Sequence, residues 1–522
     1  MLVCDATRVG PRTGRFLLRE SSRGPWPRPP SVIDQLDDEL PDWYRRLRDY
    51  AVAHDFLRIA GYTPLVCNQF GPPRLLVSVG MPTPKRLVAI VSSRVGRNIQ
   101  ERTRWFDYLR HAVSSMNPQD ETLLIAEHTT PWRYLRRAAH LFGVEGTHLR
   151  VPSPVSCVEQ LDAALSQWVN DLIAPRDALS YRRRLLCLSP PLAPMRGPLP
   201  PTRFAPRDIV SIMVPDQINA LSIRPNGNVH QLVRIRLNEG IEPAGSVRLC
   251  LDPQLVRDDV RDELLGRGAV GWALLKRGPN TPPPRSLPAE SMSSESTHDS
   301  LASSQGRLCW QVSQANPPDG VHAILSSPAT GEFLTHCTRR RDGPWPGQSE
   351  QEFLDDLIWQ STSADHSALA ALQRIVKRQM LCATNQAIRG GFGVVSFTSA
   401  SFDELRALHV YRSHRGRWDF EPYGISIRAS WLAARGARPV VYGDDDTWQR
   451  LDSQSRPYFQ RATSVTRSGR TLDWTVEREW RFWGNVPLYE LGPADAFLFV
   501  PTQAEALSLQ EDSPWSVYVW QQ

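Results

Sequence analysis

The chain has 522 residues, 41% hydrophobic, 22% charged and 9% aromatic, with 44 prolines, 32 glycines and a formal net charge of +6. That length and apolar share allow roughly two to four domains with real cores, and they exclude a disordered chain, a collagen-like repeat and a small disulfide scaffold. Nearly all the positive charge is arginine, because lysine stands only at Lys85, Lys276 and Lys377. A GxxxxGK[ST] phosphate loop therefore cannot be written, and the V-A-I-K, H-R-D and D-F-G kinase set is also missing.

The opening stretch, MLVCDATRVGPRTGRFLLRESS, has no apolar signal core, and no later run reaches the about 18 apolar residues a membrane span needs. The eight cysteines are scattered singly with no CxxC pair, so free thiols and a cytoplasmic setting without membrane contact are expected. Residues 1–60 read as an N-terminal segment with a helix. Arg74–Val79, Leu87–Ser92 and Thr122–Ala126 read as strands, with another near Leu149–Val151. Helices are expected at Gln100–Met116, at Pro131–Phe142 behind Thr129 and Thr130, and at Val158–Leu172. After the proline stretch Ser189–Pro206, strands are predicted at Ile209–Met213, Val229–Leu237 and Ser246–Leu251, and a helix at Gln254–Leu265. Strands alternating with helices imply a parallel sheet wrapped by helices, so residues 61–276 read as a Rossmann-like α/β domain. Gly266–Gly271 spells GxGxxG but follows a helix and precedes a strand, the reverse of a dinucleotide fingerprint, and reads as a helix stop.

Residues 277–306, proline-rich and then serine-rich without aromatics, read as a flexible linker. Residues 307–522 then mix short strands with helices. The strands are expected at Leu308–Val312, Gly331–His336, Gly393–Phe397, Gly424–Arg428, Pro439–Tyr442, Glu479–Trp483 and Ala496–Val500. The helices are expected at Glu350–Trp359, His366–Gln379 and Phe402–Ala407. The fold class is thus a Rossmann-like parallel-sheet α/β domain followed by a tethered α+β domain.

In the first domain, Ser92, Ser93, Arg94 and Arg97 leave a strand end, where backbone N–H groups and helix dipoles favour a nucleotide phosphate. Thr129 and Thr130, at a second strand end, would line the same crevice. The competing reading makes these residues ordinary caps and solvated arginines. The segment LVAIVSSR resembles the first strand and turn of the DprA and lysine-decarboxylase-like nucleotide-binding families, with Ser92 where those families carry glycine.

In the second domain, Phe333–Arg339 ends a strand with His336 and Thr338. Val394–Ser399 is a strand carrying Ser396 and Thr398, and Thr475–Arg481 brings Glu477 and Glu479, which on a strand share one face. This order resembles the ADP-ribosyltransferase fold, DarT-like DNA-modifying members in particular. The resemblance implies NAD as substrate; separately, no metal is expected. It makes His336 and Thr338 contacts to the nicotinamide ribose or amide and matches Ser396 and Thr398 to the central strand. Glu479 or Glu477 would be the catalytic acid, stabilising the oxocarbenium charge electrostatically, and Tyr423 an aromatic stacking on nicotinamide. The E-R-E-W-R segment also resembles bacterial phage-defence proteins. On the structural alternative, it is a surface strand with Trp480 in the core.

Arg415–Ile425, rich in aromatics and charge, reads as a packed loop or a pocket wall. Asp444–Asp446 reads as a helix cap in preference to a cation site. Arg133, Arg136 and Arg137, with Arg182–Arg184 and Arg339–Arg341, could meet nucleic-acid phosphates or simply be solvated. The leading reading is a defence-type protein with a nucleotide-sensing domain and an NAD-using transferase or glycohydrolase effector. The first alternative is a non-enzymatic recognition or scaffold subunit with protein partners, for which 17 tryptophans and many arginines would serve as anchors. The second is a nucleoside hydrolase residing in the first domain.

Overall fold

The computed structural model describes residues 42–53, 57–60, 74–79, 85–94, 99, 102–155, 160–174, 184–191, 203–238, 246–274, 322–323, 332–386, 388–412, 417–465 and 471–520. The expected linker 277–306 and the strand at Leu308–Val312 lie outside these residues. Two compact units emerge, one built from the chain up to Leu275 plus Glu350–Ala364, the other from the rest. No helix among the described residues is long and apolar enough to cross a membrane.

In the first unit, the chain runs through α1 (Asp42–Ala53), β1 (Leu57–Ala60), β2 (Leu76–Val79), β3 (Arg86–Ser92), α2 (Thr103–Ser114), β4 (Glu121–Ala126), α3 (Trp132–Leu141), β5 (Gly146–Arg150), α4 (Leu161–Ile173) and β6 (Arg184–Leu188). It continues through α5 (Pro206–Met213), β7 (Gln217–Ser222), α6 (Asn228–Asn238), β8 (Val247–Cys250), α7 (Asp258–Gly266) and β9 (Val270–Trp272). The strands form one sheet in the order β1-β2-β6-β5-β4-β3-β7-β8-β9. From β6 to β9 every neighbouring pair is parallel, and β1 and β2 are added antiparallel at one edge. Leu87–Ser92 is buried at every position, the continuous apolar pattern of a strand covered on both faces. Against it pack Trp105, Phe106, Leu109 and Val113 of α2 and Tyr134, Leu135 and Ala138 of α3.

Two elements differ from the sequence reading. Ile209–Met213 and Val229–Leu237 lie in helices α5 and α6, not strands. Ile209–Met213 is buried throughout, so its apolarity carries no period to separate strand from helix; Pro206 and Asp208 in the first turn are the helix signals that decide it. In α6, Leu232, Val233 and Arg236 are buried at three- and four-residue spacing. The strand that occupies the expected place is β7, whose Gln217 and Asn219 hid it. Both polar side chains are buried, joined to each other at 3.2 Å, with Gln217 taking a 2.8 Å bond from Arg86. The GxGxxG stretch does end α7: Gly268 adopts φ +100° and β9 follows.

Helix α8 (Glu350–Trp359) lies after the expected linker in sequence, yet belongs to the first unit. Phe353, Leu354, Leu357 and Ile358 join the same core as α2 and α3. Arg137 pairs with Asp355 at 2.6 Å and Arg133 with Glu350 at 3.2 Å, so these two arginines are engaged inside the unit.

The second unit comprises β10 (His322–Ala323), β11 (Phe333–Cys337), α9 (Ala368–Arg378), β12 (Met380–Leu381), β13 (Val394–Thr398), α10 (Phe402–Leu408), β14 (Val410–Arg412), β15 (Arg417–Asp419), β16 (Gly424–Arg428), α11 (Ala429–Ala434), β17 (Arg438–Pro439) and β18 (Val441–Gly443). Then come α12 (Asp445–Arg450), β19 (Phe459–Arg461), β20 (Thr463–Val465), β21 (Thr471–Asp473), β22 (Glu479–Trp483), β23 (Val486–Pro487), β24 (Ala496–Val500), α13 (Gln503–Asp512) and β25 (Ser516–Val519). Eight strands make a mixed sheet in the order β10-β25-β24-β16-β11-β13-β22-β17. Strand alternation sorts its two faces: Leu334, Ile425, Ile427 and Leu498 meet Leu372 of α9 and Leu509 of α13, whereas Phe333, Phe497 and Phe499 meet Phe402 and Leu405 of α10. This is the expected α+β arrangement.

Candidate functional site

Each unit holds one candidate. In the first, the chain builds outward from β3 through β4, β5 and β6, then resumes on the other side of β3 at β7. Beyond the carboxyl ends of β3 and β7 the connections run in opposite directions, leaving a crevice at the switch point of the sheet. This crevice, about 450 Å³, is lined by Ser92, Ser93 and Arg94 after β3 and by His128–Pro131 after β4. Arg224, Gly227 and Asn228 after β7, with Arg207 and Asp208 of α5, complete it. The first turns of α3, α5 and α6 all border it. Three helix starts with Arg94, Arg207 and Arg224 create a positive potential suited to an anion.

Ser92, Ser93, Arg94, Thr129 and Thr130 thus share one crevice, and Arg97 lies outside the described residues. The serines have structural work as well. Ser92 Oγ donates to Ser93 O and accepts from Trp105 Nε1. Ser93 N donates to Ser222 O and its Oγ accepts from Arg224 N, stitching the ends of β3 and β7 together. Thr129 Oγ1 donates to Ala126 O, and neither threonine side chain caps α3, which starts at Trp132 behind Pro131. Sequence reasoning missed Arg207, Asp208 and Asn228 because their helices were taken for strands, and Arg224 because it lies in the loop after the unrecognised β7. The Asn226-Gly227 pair was the available turn signal.

In the second unit, β11 pairs with β16 over five residues and β13 with β22 over five, but β11 and β13 meet only at Thr335 and Thr398. Past that point the strands part, and a cavity of about 1190 Å³ opens between them. His336, Thr338, Ser396, Thr398, Glu477 and Glu479 all line it. Three segments remote in sequence are therefore brought together. Tyr423 is not on the wall; its hydroxyl donates to Glu505 at 3.0 Å. The aromatics that do line the cavity are Trp345, Phe397, Phe420 and Trp474.

His336 Nδ1 donates to Ser396 O at 2.8 Å across the gap, doing with a ring what the ladder no longer does with an amide. Burial holds its pKa below the ordinary imidazole value, so the ring stays neutral and presents Nε2 as an acceptor. Thr338 Oγ1 donates to Ala368 O and Thr398 Oγ1 to Glu477 O; both hydroxyls are committed to backbone.

The two glutamates do not share a strand face. Glu477 closes a 3-10 turn (Thr475–Glu477), Arg478 takes φ +43°, and β22 starts only at Glu479. A left-handed residue reverses the chain direction and cancels the two-residue alternation assumed from sequence. Nor is Trp480 the deepest residue of the segment: it is half-buried, while Arg481 is 1% exposed. All five N–H donors of Arg481 are used. Two meet the Glu479 carboxylate at 2.9 and 3.0 Å, two meet the carbonyls of Pro457 and Phe459, and one meets Gln460 Oε1. Each Glu479 oxygen retains capacity for a further hydrogen bond, since a carboxylate oxygen accepts two. The wall also carries Arg339, Arg340, Arg341, Arg374 and Arg378, with Arg374 stacked 4.7 Å over Trp345. Sequence reasoning singled out the first three as a cluster that either meets nucleic-acid phosphates or is solvated, and did not place Arg374 or Arg378 at the site. The acidic triplet is a cap and an ion pair: Asp444 accepts from Thr447 N, and Asp445 binds Arg389 and Arg461.

Backbone strain falls at the same two places in all but one case, Gln360. Among the described residues, His128, Asn226, Gln360, Gln379, Phe420 and Arg478 are the non-glycine residues with positive φ. His128 and Phe420 are wall residues, Asn226 precedes one, and Gln379 and Arg478 each sit between two. Left-handed residues with side chains cost about 1–3 kcal/mol each and gather where a site needs them.

No protein-family model matches the chain, and no curated protein matches it. Among solved structures, it is weakly similar in its N-terminal part to DNA processing protein A (DprA) from Streptococcus pneumoniae, at 13% identity over 43% of this chain and 74% of that one, with a TM-score of 0.25. DNA processing protein A from Helicobacter pylori, described with its single-stranded DNA binding mode, matches at 14% identity over 41% and 90%, with a TM-score of 0.24. The molybdenum cofactor carrier protein of Chlamydomonas reinhardtii matches at 12% over 35% and 95%, with a TM-score of 0.18.

Proposed function

We propose that the cavity of the second unit binds NAD and breaks its nicotinamide–ribose bond, while the crevice of the first unit holds a phosphate-bearing nucleotide that the protein senses. The observation that carries this is the convergence of His336, Ser396, Glu477 and Glu479 on one wall. In the reaction, the C1′–N bond breaks heterolytically and its electron pair stays on the nicotinamide nitrogen. The cationic sugar that results sits against Glu477 and Glu479, which favour it electrostatically. Water or an acceptor then gives a lone pair to C1′ and loses a proton to a wall carboxylate or to solvent, yielding ADP-ribose or an ADP-ribosylated product. The arginines of the wall supply the positive charge that a diphosphate requires. The E-R-E-W-R resemblance supports a setting in phage defence.

The test is NAD consumption by the purified full chain. Glu479→Gln should abolish it and Arg450→Gln, on an exposed helix, should not. Full activity in both Glu479→Gln and Glu477→Gln would remove the proposal. A second reading, a recognition subunit without chemistry, draws on the locked Glu479–Arg481 pair and on threonine hydroxyls already spent on backbone. Stable capture of defined protein partners, with no NAD turnover and no nucleotide binding by calorimetry, would favour it.

A further inference from the structure

The turn that brings Glu477 and Glu479 to the cavity is held from outside it. Arg478 lies between them at φ +43°, a conformation that costs a non-glycine residue about 1–3 kcal/mol and that glycine would adopt freely. Its guanidinium reaches Glu404, at 2.7 Å from Oε1 and 3.2 Å from Oε2. Glu404 is itself fixed: it is the third residue of the α10 capping box, accepting from Ser401 N at 2.8 Å while its own amide donates to Ser401 Oγ. The Arg478 carbonyl accepts from Ser399 N at 3.2 Å, and the Glu477 carbonyl accepts from Thr398 Oγ1 at 2.6 Å. The end of β13 and the start of α10 therefore grip the acidic turn through three consecutive main-chain and side-chain links.

We propose that Glu404 and Arg478 form a latch, a pair of positioning residues that keep both carboxylates on the cavity wall at the expense of local strain. Neither touches the cavity itself. This rests on the reading of the cavity as a site of NAD cleavage. An exposed ion pair adds little to folding stability, so stability alone does not account for an arginine where glycine would relieve strain.

The two roles separate by experiment. Arg478→Gly removes both strain and latch, so the melting temperature should hold or rise, while NAD turnover falls about tenfold or more with KM little changed, as expected when reacting groups lose their placement. Glu404→Gln keeps the capping box, which accepts glutamine equally, and should lower turnover in the same direction; Arg478→Lys, retaining the charge, should restore most of it. Unaltered turnover in Arg478→Gly, or a parallel loss of turnover and stability, overturns the latch. If the wild-type chain consumes no NAD, the cavity reading falls by that result alone. The latch is then judged by amide exchange in the peptide spanning residues 471–483: faster exchange in Arg478→Gly at equal global stability upholds it, and unchanged exchange rejects it.

Discussion

Removing everything after residue 306 should unfold the first unit, although no described residue beyond that point belongs to its sheet. Helix α8 supplies Phe353, Leu354, Leu357 and Ile358, none more than 4% exposed, to the core that α2 and α3 share. At about 1.5–3 kcal/mol for each fully buried apolar side chain, their loss amounts to about 6–12 kcal/mol, the size of a whole domain's stability. The Arg137–Asp355 pair and the bond from Arg110 to Ile358 O go with them. A single step is gentler: Leu357→Ala should cost about 2–5 kcal/mol by transfer and cavity terms together. The assay is urea unfolding of the full chain and of residues 1–306, followed by circular dichroism, and then of residues 1–306 with a synthetic peptide of residues 350–364. The truncated chain should lose its cooperative transition and regain it with the peptide. A truncated chain that melts at the full-length midpoint without peptide would refute the assignment of α8 to this core, and would revive a first domain that works by itself.

Further outcomes follow from the sites. Arg481→Leu should destabilise the second unit by about 3–5 kcal/mol, because it leaves Glu479 without its partner and two carbonyls without donors; urea midpoints check it. Burial lowers the pKa of His366 to about 4, so below pH 6.5 the unfolded chain takes up a proton that the folded one does not. Its contribution is therefore complete above pH 6.5 and drains away down to about pH 4, and His366→Gln should flatten the acid limb of the stability–pH curve in that window. Arg207→Ala with Arg224→Ala should weaken binding of a nucleoside phosphate to the first unit about tenfold or more by calorimetry, with a smaller difference at high salt; equal affinity would move the ligand elsewhere.

Much of this was legible in the sequence where side-chain character and period agreed. The buried run Leu87–Ser92, the amphipathic stretch through Trp105 and Val113, and Gly424–Arg428 read correctly because each has a single solution. Reading failed where polarity and burial part company. Gln217 and Asn219 are buried polar residues in a central strand, and the apolar run Ile209–Met213 is a helix too enclosed to show a stripe. For the second unit, the spacing of His336, Ser396, Thr398 and Glu479 could be noted, but their shared wall depends on where β11 and β13 separate, which no local pattern encodes. Arg478 shows the same limit: nothing in E-R-E-W-R announces a left-handed residue, since an arginine there is held by Glu404 from a different part of the chain.

The parting of β11 and β13 has a bearing on how such a protein could change over time. A continuous ladder would have joined the two strands along their length; here the residues past Thr335 and Thr398 line the cavity instead, and main-chain groups seek partners wherever they are. An opening made by the path of the chain belongs to the backbone, so its existence does not hang on any one side chain along those strands, whereas the chemistry proposed for it does. Descendants of this architecture could drift far in residue identity and still keep the opening, provided the two strands stayed ajar.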